Sequence, residues 1–190
     1  MKTRSRVFAS AAMVVLAVLA LQGPALAKTV PASTWAKKFC TTLTQWQTAI
    51  SDGSKELQTA LADVTDLTQA KTQVTNFLGQ MVSATDDAQS SLKSAGAPDT
   101  TNGQKIATKF VNALGSAKSI FSKANSDAGT LSTTDPSAFQ TQAQSIANAL
   151  NSSGDALSKS FSGVDSLDKG AKLSAVLVKT KACASIVAGS

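Results

Sequence analysis

The chain has 190 residues, of which 18 are basic and 12 are acidic, and its formal net charge is +6. It contains no histidine and no tyrosine, and its two cysteines are Cys40 and Cys183. Histidine is the commonest general base and a frequent zinc ligand, so its absence argues against catalytic triads and histidine-based metal sites. The composition therefore favours a protein that is not an enzyme.

The N-terminal segment has the three parts of an export signal. Basic residues at positions 2–6 precede an apolar run at 7–21, and the sequence Ala25-Leu26-Ala27 provides a small-residue cleavage site. The run is shorter than the roughly 20 residues that span a bilayer, which disfavours a retained membrane anchor. A lipoprotein would need a cysteine where this chain has Lys28. We predict a cleaved signal peptide at 1–27 and a secreted protein, extracellular or loosely associated with the cell wall.

Removal of this leader changes the charge balance. Three of the 18 basic residues are lost, including both arginines, and the remaining lysines exceed the 12 acidic residues only slightly. Without arginine the chain lacks the planar side chain best suited to phosphate and guanine recognition. The length is that of one domain, and no linker-like composition interrupts it. Residues 28–190 are therefore predicted to form a single domain that does not bind nucleic acid.

The first part of this domain has clear helical spacing. Apolar residues recur at intervals of three and four from Trp35 to Ile50. The spacing predicts a helix that begins after Pro31 and ends near Gly53. A separate helical segment is predicted to begin at Ser54.

Two long helical patterns occupy the middle of the chain. The first runs from Val74 to a glycine C-cap at Gly96, with Pro98 two residues later. The second begins near Asn102, a favoured N-cap residue, and continues to Leu131. No stretch of the chain shows the alternation of a β-strand.

The C-terminal part predicts two more helices. Asp135-Pro136 supplies an N-cap and a first-turn proline, and apolar spacing continues from there to Phe161. After a break at 163–170, a last helix is predicted at 173–187, and it carries Cys183.

Long helices joined by short capped turns predict an all-α fold, an up-and-down bundle of four to five long helices. Because Cys40 lies in the first helix and Cys183 in the last, we predict a disulfide that joins these two helices. The chain-entropy model gives on the order of 5 kcal/mol as an upper figure for so long a loop. A redox-active or zinc-binding pair is disfavoured because the chain has neither a Cys-x-x-Cys spacing nor further ligands.

Several segments resemble parts of ligand sites. Residues 99–103 and 165–170 are similar to calcium loops but lack the alternating ligands and the terminal glutamate, so turns with helix N-caps are predicted for both. Met81 is the remaining conventional haem ligand, and its place on an apolar helix stripe assigns it to the core. No catalytic residue, cofactor or metal is predicted.

The helical faces remain as candidates for function. We expect a non-catalytic protein that binds a protein or cell-envelope partner through a helical face, without a stable membrane anchor after signal cleavage. The alternative is an extracellular carrier of a small apolar molecule or lipid in a cavity of the bundle. Such a cavity would draw on five apolar residues: Phe77, Phe110, Ile120, Phe139 and Phe161. An enzyme would instead require aspartates that converge on a metal-sized gap.

The layout of the chain resembles a group of small exported helical proteins of actinobacteria. The resemblance rests on the segment from Trp35 to Trp46 with Cys40 inside it, the Gly-Ala-Pro turn at 96–98, and a cysteine near the C-terminus. It implies export and an all-helical fold, and it transfers no site residue. Members of such groups are often lipoproteins, and Lys28 at the predicted cleavage point implies free secretion or loose wall association instead.

Overall fold

A computed structural model of the protein describes residues 28–162, 166–168, 170 and 172–184, with the backbone alone for 153–162. The predicted leader lies outside the described residues. The described chain forms five α-helices, one short 3-10 helix and two strands of two residues each. They are, in chain order, β1 (Thr29–Val30), α1 (Ala32–Ala62), α2 (Leu67–Ala95), β2 (Ala97–Pro98), α3 (Gly103–Ala128), α4 (Pro136–Ser162), α5 (Lys172–Lys179) and the 3-10 helix Lys181–Cys183.

The long helices pack in the order of the chain, as an up-and-down bundle. Helix α2 lies between α1 and α3, and α4 packs against α3. The short α5 and the 3-10 helix return to the N-terminal half of the molecule and pack against α1. The predicted all-α bundle is confirmed, because each amphipathic helix buries its apolar stripe against the next one in sequence.

The predicted end of the first helix at Gly53 is wrong, since α1 continues to Ala62. Gly53 is buried where α1 crosses α2, and a Cβ atom there would lie 2.9 Å from the Met81 Cε. The glycine therefore serves close helix packing and does not end the helix. The chain turns only before Asp66, whose carboxylate accepts a hydrogen bond from the Gln69 amide at 2.8 Å and caps α2.

The two strands form a small parallel pairing that the sequence does not predict. Thr29 pairs with Ala97 and Val30 with Pro98. Next to this pairing, the Trp35 indole N–H donates to the Gly96 carbonyl at 3.0 Å. A strand of two residues is too short to show an alternating pattern in the sequence. The strand pairing is therefore visible only in the folded chain.

The last predicted helix is shorter than expected. Helix α5 ends at Lys179, Thr180 is extended with φ −86° and ψ 111°, and Cys183 belongs to the 3-10 helix. The Cys183 amide donates to the Thr180 carbonyl at 2.8 Å, which tightens the chain into this turn. The remainder of the predicted helix, residues 185–187, lies outside the described residues.

The interior has two apolar clusters. The first joins α1, α2, α3 and α5 around three aromatic rings. The rings of Trp35 and Phe39 are stacked with centroids 4.7 Å apart, and the ring of Phe110 is tilted against Phe39 with centroids 4.5 Å apart. The second joins α2, α3 and α4 around Leu78 and Ile146. The aromatic rings supply the bulk of the first cluster, as the alanine-rich helix stripes require.

Candidate functional site

The two cysteines form the predicted disulfide inside the first apolar cluster. The Cα atoms of Cys40 and Cys183 are 5.0 Å apart, and the residues are only 1% and 0% exposed. The bond ties α1 to the 3-10 helix across a sequence separation of 143. A disulfide of this kind indicates an oxidising, non-cytoplasmic environment, and its burial gives it a structural role in the core.

A long concave surface of the described residues is the outer groove, the depression between α1 and α2. It consists of three adjoining hollows of about 800, 230 and 640 Å³, and Asp87 lines all three. The groove follows α1 from Thr34 to Glu56, which is roughly 33 Å at 1.5 Å per helical residue. An elongated partner segment would fit this shape.

The outer groove carries opposite charges at its two ends. Lys37 and Lys38 lie at the end nearest the disulfide, and Asp52 and Glu56 lie at the other. Between them the walls consist mainly of small and hydroxyl side chains, together with Asp87, Gln45 and Trp46. They include Thr34, Thr41, Ala49, Ala84, Ser90, Ser91 and Ser94. Such a surface offers hydrogen bonds and a charge gradient, and small side chains let another backbone approach closely.

A hydrogen-bonded chain fixes the floor of the groove. The Trp46 indole N–H donates to the Thr85 hydroxyl at 2.9 Å, and that hydroxyl donates to the Met81 carbonyl at 2.6 Å. Thr85 is fully buried, and Met81 packs into the core as predicted from its helix stripe. These contacts were not predicted from the sequence; the small residues Ala49 and Ala84 are the signal of a close crossing of α1 and α2.

A separate apolar pocket of about 190 Å³ lies where α1, α2 and α4 meet. Its walls are almost wholly aliphatic or aromatic and comprise Leu57, Val74, Phe77, Leu78, Ala143, Ile146, Ala147 and Leu150. Of the four residues expected to line a carrier cavity whose side chains are described, Phe77 alone lines this pocket.

The other members of that predicted cavity lie elsewhere. Phe110 belongs to the first apolar cluster, Phe139 packs at the edge of the second, and Ile120 is half-buried. The side chain of Phe161 lies outside the described residues. The described members of the predicted cavity are therefore divided between separate parts of the bundle, since α3 presents Phe110 to the aromatic rings of α1.

Residues 99–103, the first segment that is similar to a calcium loop, fold as the predicted turn. The Thr100 amide donates to the Pro98 carbonyl at 2.9 Å, and the Gly103 amide donates to the Thr100 carbonyl at 3.0 Å. Asn102 occupies the N-cap position of α3, but its side chain does not cap the helix. Its Nδ2 instead donates to the Leu167 carbonyl at 2.7 Å and fastens the segment before α5.

The second calcium-like segment contains the cap of α5. Asp168 is buried, and its carboxylate accepts hydrogen bonds from the Leu173 and Ser174 amides at 3.0 and 2.8 Å and from the Ser174 hydroxyl at 2.8 Å. Burial raises the pKa of Asp168, but the three hydrogen bonds together outweigh it and bring the pKa below its ordinary value. This carboxylate therefore serves the helix start, as predicted for a cap.

Within the described parts of the chain, no group of three or more acidic or cysteine side chains is arranged to hold a metal ion. Among the same residues, no helix combines the length and apolar character needed to cross a bilayer. Comparison of the chain with known protein families, curated proteins and solved structures finds no match. The resemblance to exported actinobacterial proteins stays a prediction.

Proposed function

We propose that the protein is an exported, non-catalytic protein that binds a protein or other cell-envelope partner through the outer groove. The proposal rests on the shape and charge of this groove, which is roughly 33 Å long and has lysines at one end and carboxylates at the other. A helical or extended segment with the opposite order of charges would be complementary to it.

Two features of the sequence support export and binding. The leader pattern at 1–27 and the disulfide both agree with an oxidising compartment outside the cytoplasm. The absence of histidine and tyrosine from the chain leaves few side chains suited to acid–base chemistry at neutral pH. Recognition through a surface requires neither residue.

Substitution of an exposed serine in the groove tests the proposal. Ser91→Trp would fill the middle of the groove, and Ser119→Trp would place the same side chain at an exposed position of α3 outside it. Binding of the purified protein to the envelope fraction of its source cells would be measured. We expect Ser91→Trp to weaken binding by at least about 10-fold.

Ser119→Trp serves as the control and should bind like the unsubstituted protein. Equal binding by all three proteins would remove the outer groove as the site. Complete absence of envelope binding by the unsubstituted protein would contradict the proposed function itself.

The apolar pocket favours a second candidate function, transport of a small apolar molecule. Its volume of about 190 Å³ is below the roughly 300 Å³ of typical ligand sites, but a cavity of about 150 Å³ can hold benzene. The pocket therefore fits a small ring or the end of a hydrocarbon chain and not a whole lipid.

Native mass spectrometry distinguishes this candidate from groove binding. A carried molecule would add a mass that disappears on denaturation. Ala147→Phe would occupy the pocket and abolish the added mass, while Ser145→Phe, at an exposed position of α4 outside the pocket, would retain it. A native mass equal to that of the chain alone would eliminate the carrier function.

A further inference from the structure

The charged side chains of the bundle are strongly segregated between its ends. The disulfide end consists of the described residues 28–40, 93–109, 166–168 and 172–184, and it contains nine lysines and two aspartates. The opposite end, residues 52–71 and 123–139, contains three lysines and six acidic residues. The nearly balanced charge of residues 28–190 thus conceals a molecule that is basic at one end and acidic at the other.

Little in the described chain neutralises the lysines of the disulfide end. The ion pairs among the described residues join Lys55 to Asp52, Lys118 to Asp86 and Lys123 to Asp127, all outside this end. Of the two aspartates there, Asp168 is buried and its carboxylate is occupied by the first turn of α5. Among the described residues no ion pair occupies these lysines, so their charge is open to an external anion.

An exposed apolar side chain accompanies these charges. Val178 of α5 is 69% exposed. Among the described residues, the other exposed large apolar side chain is Leu61, which is 39% exposed and lies near the opposite end. Lys179 follows Val178 directly, Lys172 lies less than two helical turns before it, and Lys181 begins the 3-10 helix just after α5; all three lysines are exposed. Lysines around a projecting aliphatic group match a bilayer interface, where anionic headgroups lie above hydrocarbon.

We propose that the disulfide end docks on a bilayer surface rich in anionic phospholipid. Lys172, Lys179 and Lys181 would contact the phosphate-bearing headgroups, and Val178 would reach the boundary with the acyl chains. The chain would lie on the membrane without spanning it. None of these four residues lines the outer groove, so the inference goes beyond the proposed partner binding and does not depend on it.

The distribution of the lysines favours a bilayer over a thread-like anionic polymer. They come from three separate segments around one end of the bundle, whereas a single polymer chain is best held by a continuous groove. Lysine also acts as a compact, strongly hydrated charge, which suits a diffuse field of headgroups, while arginine suits defined bidentate contacts. Val178 would gain nothing from a purely polar polymer.

Cosedimentation with lipid vesicles tests the proposal. The protein, purified as its cells process it, would be mixed with vesicles of phosphatidylcholine, with and without about 30% phosphatidylglycerol. We expect binding to the anionic vesicles alone, and its loss at about 0.5 M salt because added ions screen the attraction.

Two sets of substitutions localise the contact. Lys172→Gln/Lys179→Gln/Lys181→Gln should lower the partition coefficient by roughly 100-fold, since each lysine near an anionic surface contributes about a five-fold factor. Val178→Ser should lower it by about three-fold to five-fold with no change in charge.

A triple variant at the acidic end is the matched control. Lys55→Gln/Lys71→Gln/Lys123→Gln changes the net charge by the same amount and should bind within about two-fold of the unsubstituted protein. Circular dichroism would verify that each variant is folded. Equal losses in the two triple variants would overturn the proposed docking face.

Two further results would also contradict the proposal. Equal binding to neutral vesicles would show that the lysines are not responsible. Binding to free polyphosphate without binding to anionic vesicles would assign the disulfide end to an anionic polymer instead.

Discussion

Polar side chains fasten α2 to the helices on both sides of it. The Thr85 hydroxyl receives the Trp46 indole N–H and links α2 to α1. On the other side of α2, the Gln89 Nε2 donates to the Val111 carbonyl of α3 at 3.0 Å. Gly115 leaves room for that amide, because a Cβ there would lie 2.6 Å from it. These contacts give α2 a defined position between two partners, which apolar alanine surfaces alone specify poorly.

Thr85→Val tests the contribution of the first contact. Valine keeps the shape of threonine but removes the acceptor of the Trp46 indole, so we expect the free energy of unfolding to fall by about 1–2 kcal/mol. Thr59→Val is the matched control, since the Thr59 hydroxyl makes the same bond to a carbonyl four residues earlier but is exposed. Urea denaturation should find less than about 0.5 kcal/mol for the control. Similar losses in both variants would contradict the assigned role of Thr85.

At the scale of the element, α5 is a short helix whose start depends on a buried carboxylate. The hydrogen bonds that Asp168 receives from the Leu173 and Ser174 amides are stronger when the carboxylate is ionised. Its pKa in the folded protein therefore lies below the ordinary value of 3.8. Such a group stabilises the fold above the unfolded-state pKa, and this stabilisation is lost as the pH falls through the folded-state pKa.

Asp168→Asn should consequently reduce stability at pH 7 by about 1–2 kcal/mol. The difference from the unsubstituted protein should shrink below about pH 4, where the native carboxylate also becomes protonated. Urea denaturation at pH 7 and pH 3 measures both quantities, and Asp99→Asn at an exposed position is the control. A difference that stays constant down to pH 3 would contradict a role for the ionised carboxylate.

Glycines inside α1 and α2 should differ in their response to alanine. A Cβ at Gly79 would have no neighbour within 4 Å, so Gly79→Ala should stabilise the protein by about 0.5–1 kcal/mol through its higher helix propensity. At Gly53 the added Cβ would lie 2.9 Å from Met81, and displacement of that side chain should cancel the gain. Thermal denaturation of the two variants compares them directly. Stabilisation of Gly53→Ala equal to that of Gly79→Ala would argue against tight packing at this crossing.

At the scale of the whole molecule, the disulfide joins parts of the chain that are remote in sequence. Cys40 and Cys183 have a sequence separation of 143, and the bond holds α5 and the 3-10 helix against α1. These elements are only eight and three residues long, so the covalent link has a large share in keeping them in place. It also restricts the unfolded chain, which would have more conformations without the disulfide.

Cys40→Ala/Cys183→Ala should lower the free energy of unfolding by about 2–5 kcal/mol. Denaturation with and without a thiol reductant provides the measurement. The reductant should destabilise the unsubstituted protein and leave the double variant unchanged. An unchanged midpoint for the double variant would show that packing alone holds the C-terminal elements.

The helix boundaries were predicted well where the sequence has residues that cap or break a helix. Asp135-Pro136 and Gly96 mark helix boundaries that the structure confirms at α4 and α2. Gly53 misled the prediction, because glycine permits both a helix end and a close helix crossing, and only the neighbouring helix decides between them. The cysteine pair was predicted from count and predicted compartment, and the folded chain brings the two residues together.

The sequence by itself determined the all-α class and the order of the long helices, since 3.6-residue periodicity and caps act within a few residues of one another. Tertiary structure alone decided the outer groove, the apolar pocket and the segregation of lysines at the disulfide end. Each of these brings together residues from distant parts of the chain, and periodicity contains no record of which faces meet. Near balance between lysines and carboxylates along residues 28–190 thus becomes a strong asymmetry only when the helices fold side by side, and α5 with the 3-10 helix adds three further lysines to the disulfide end.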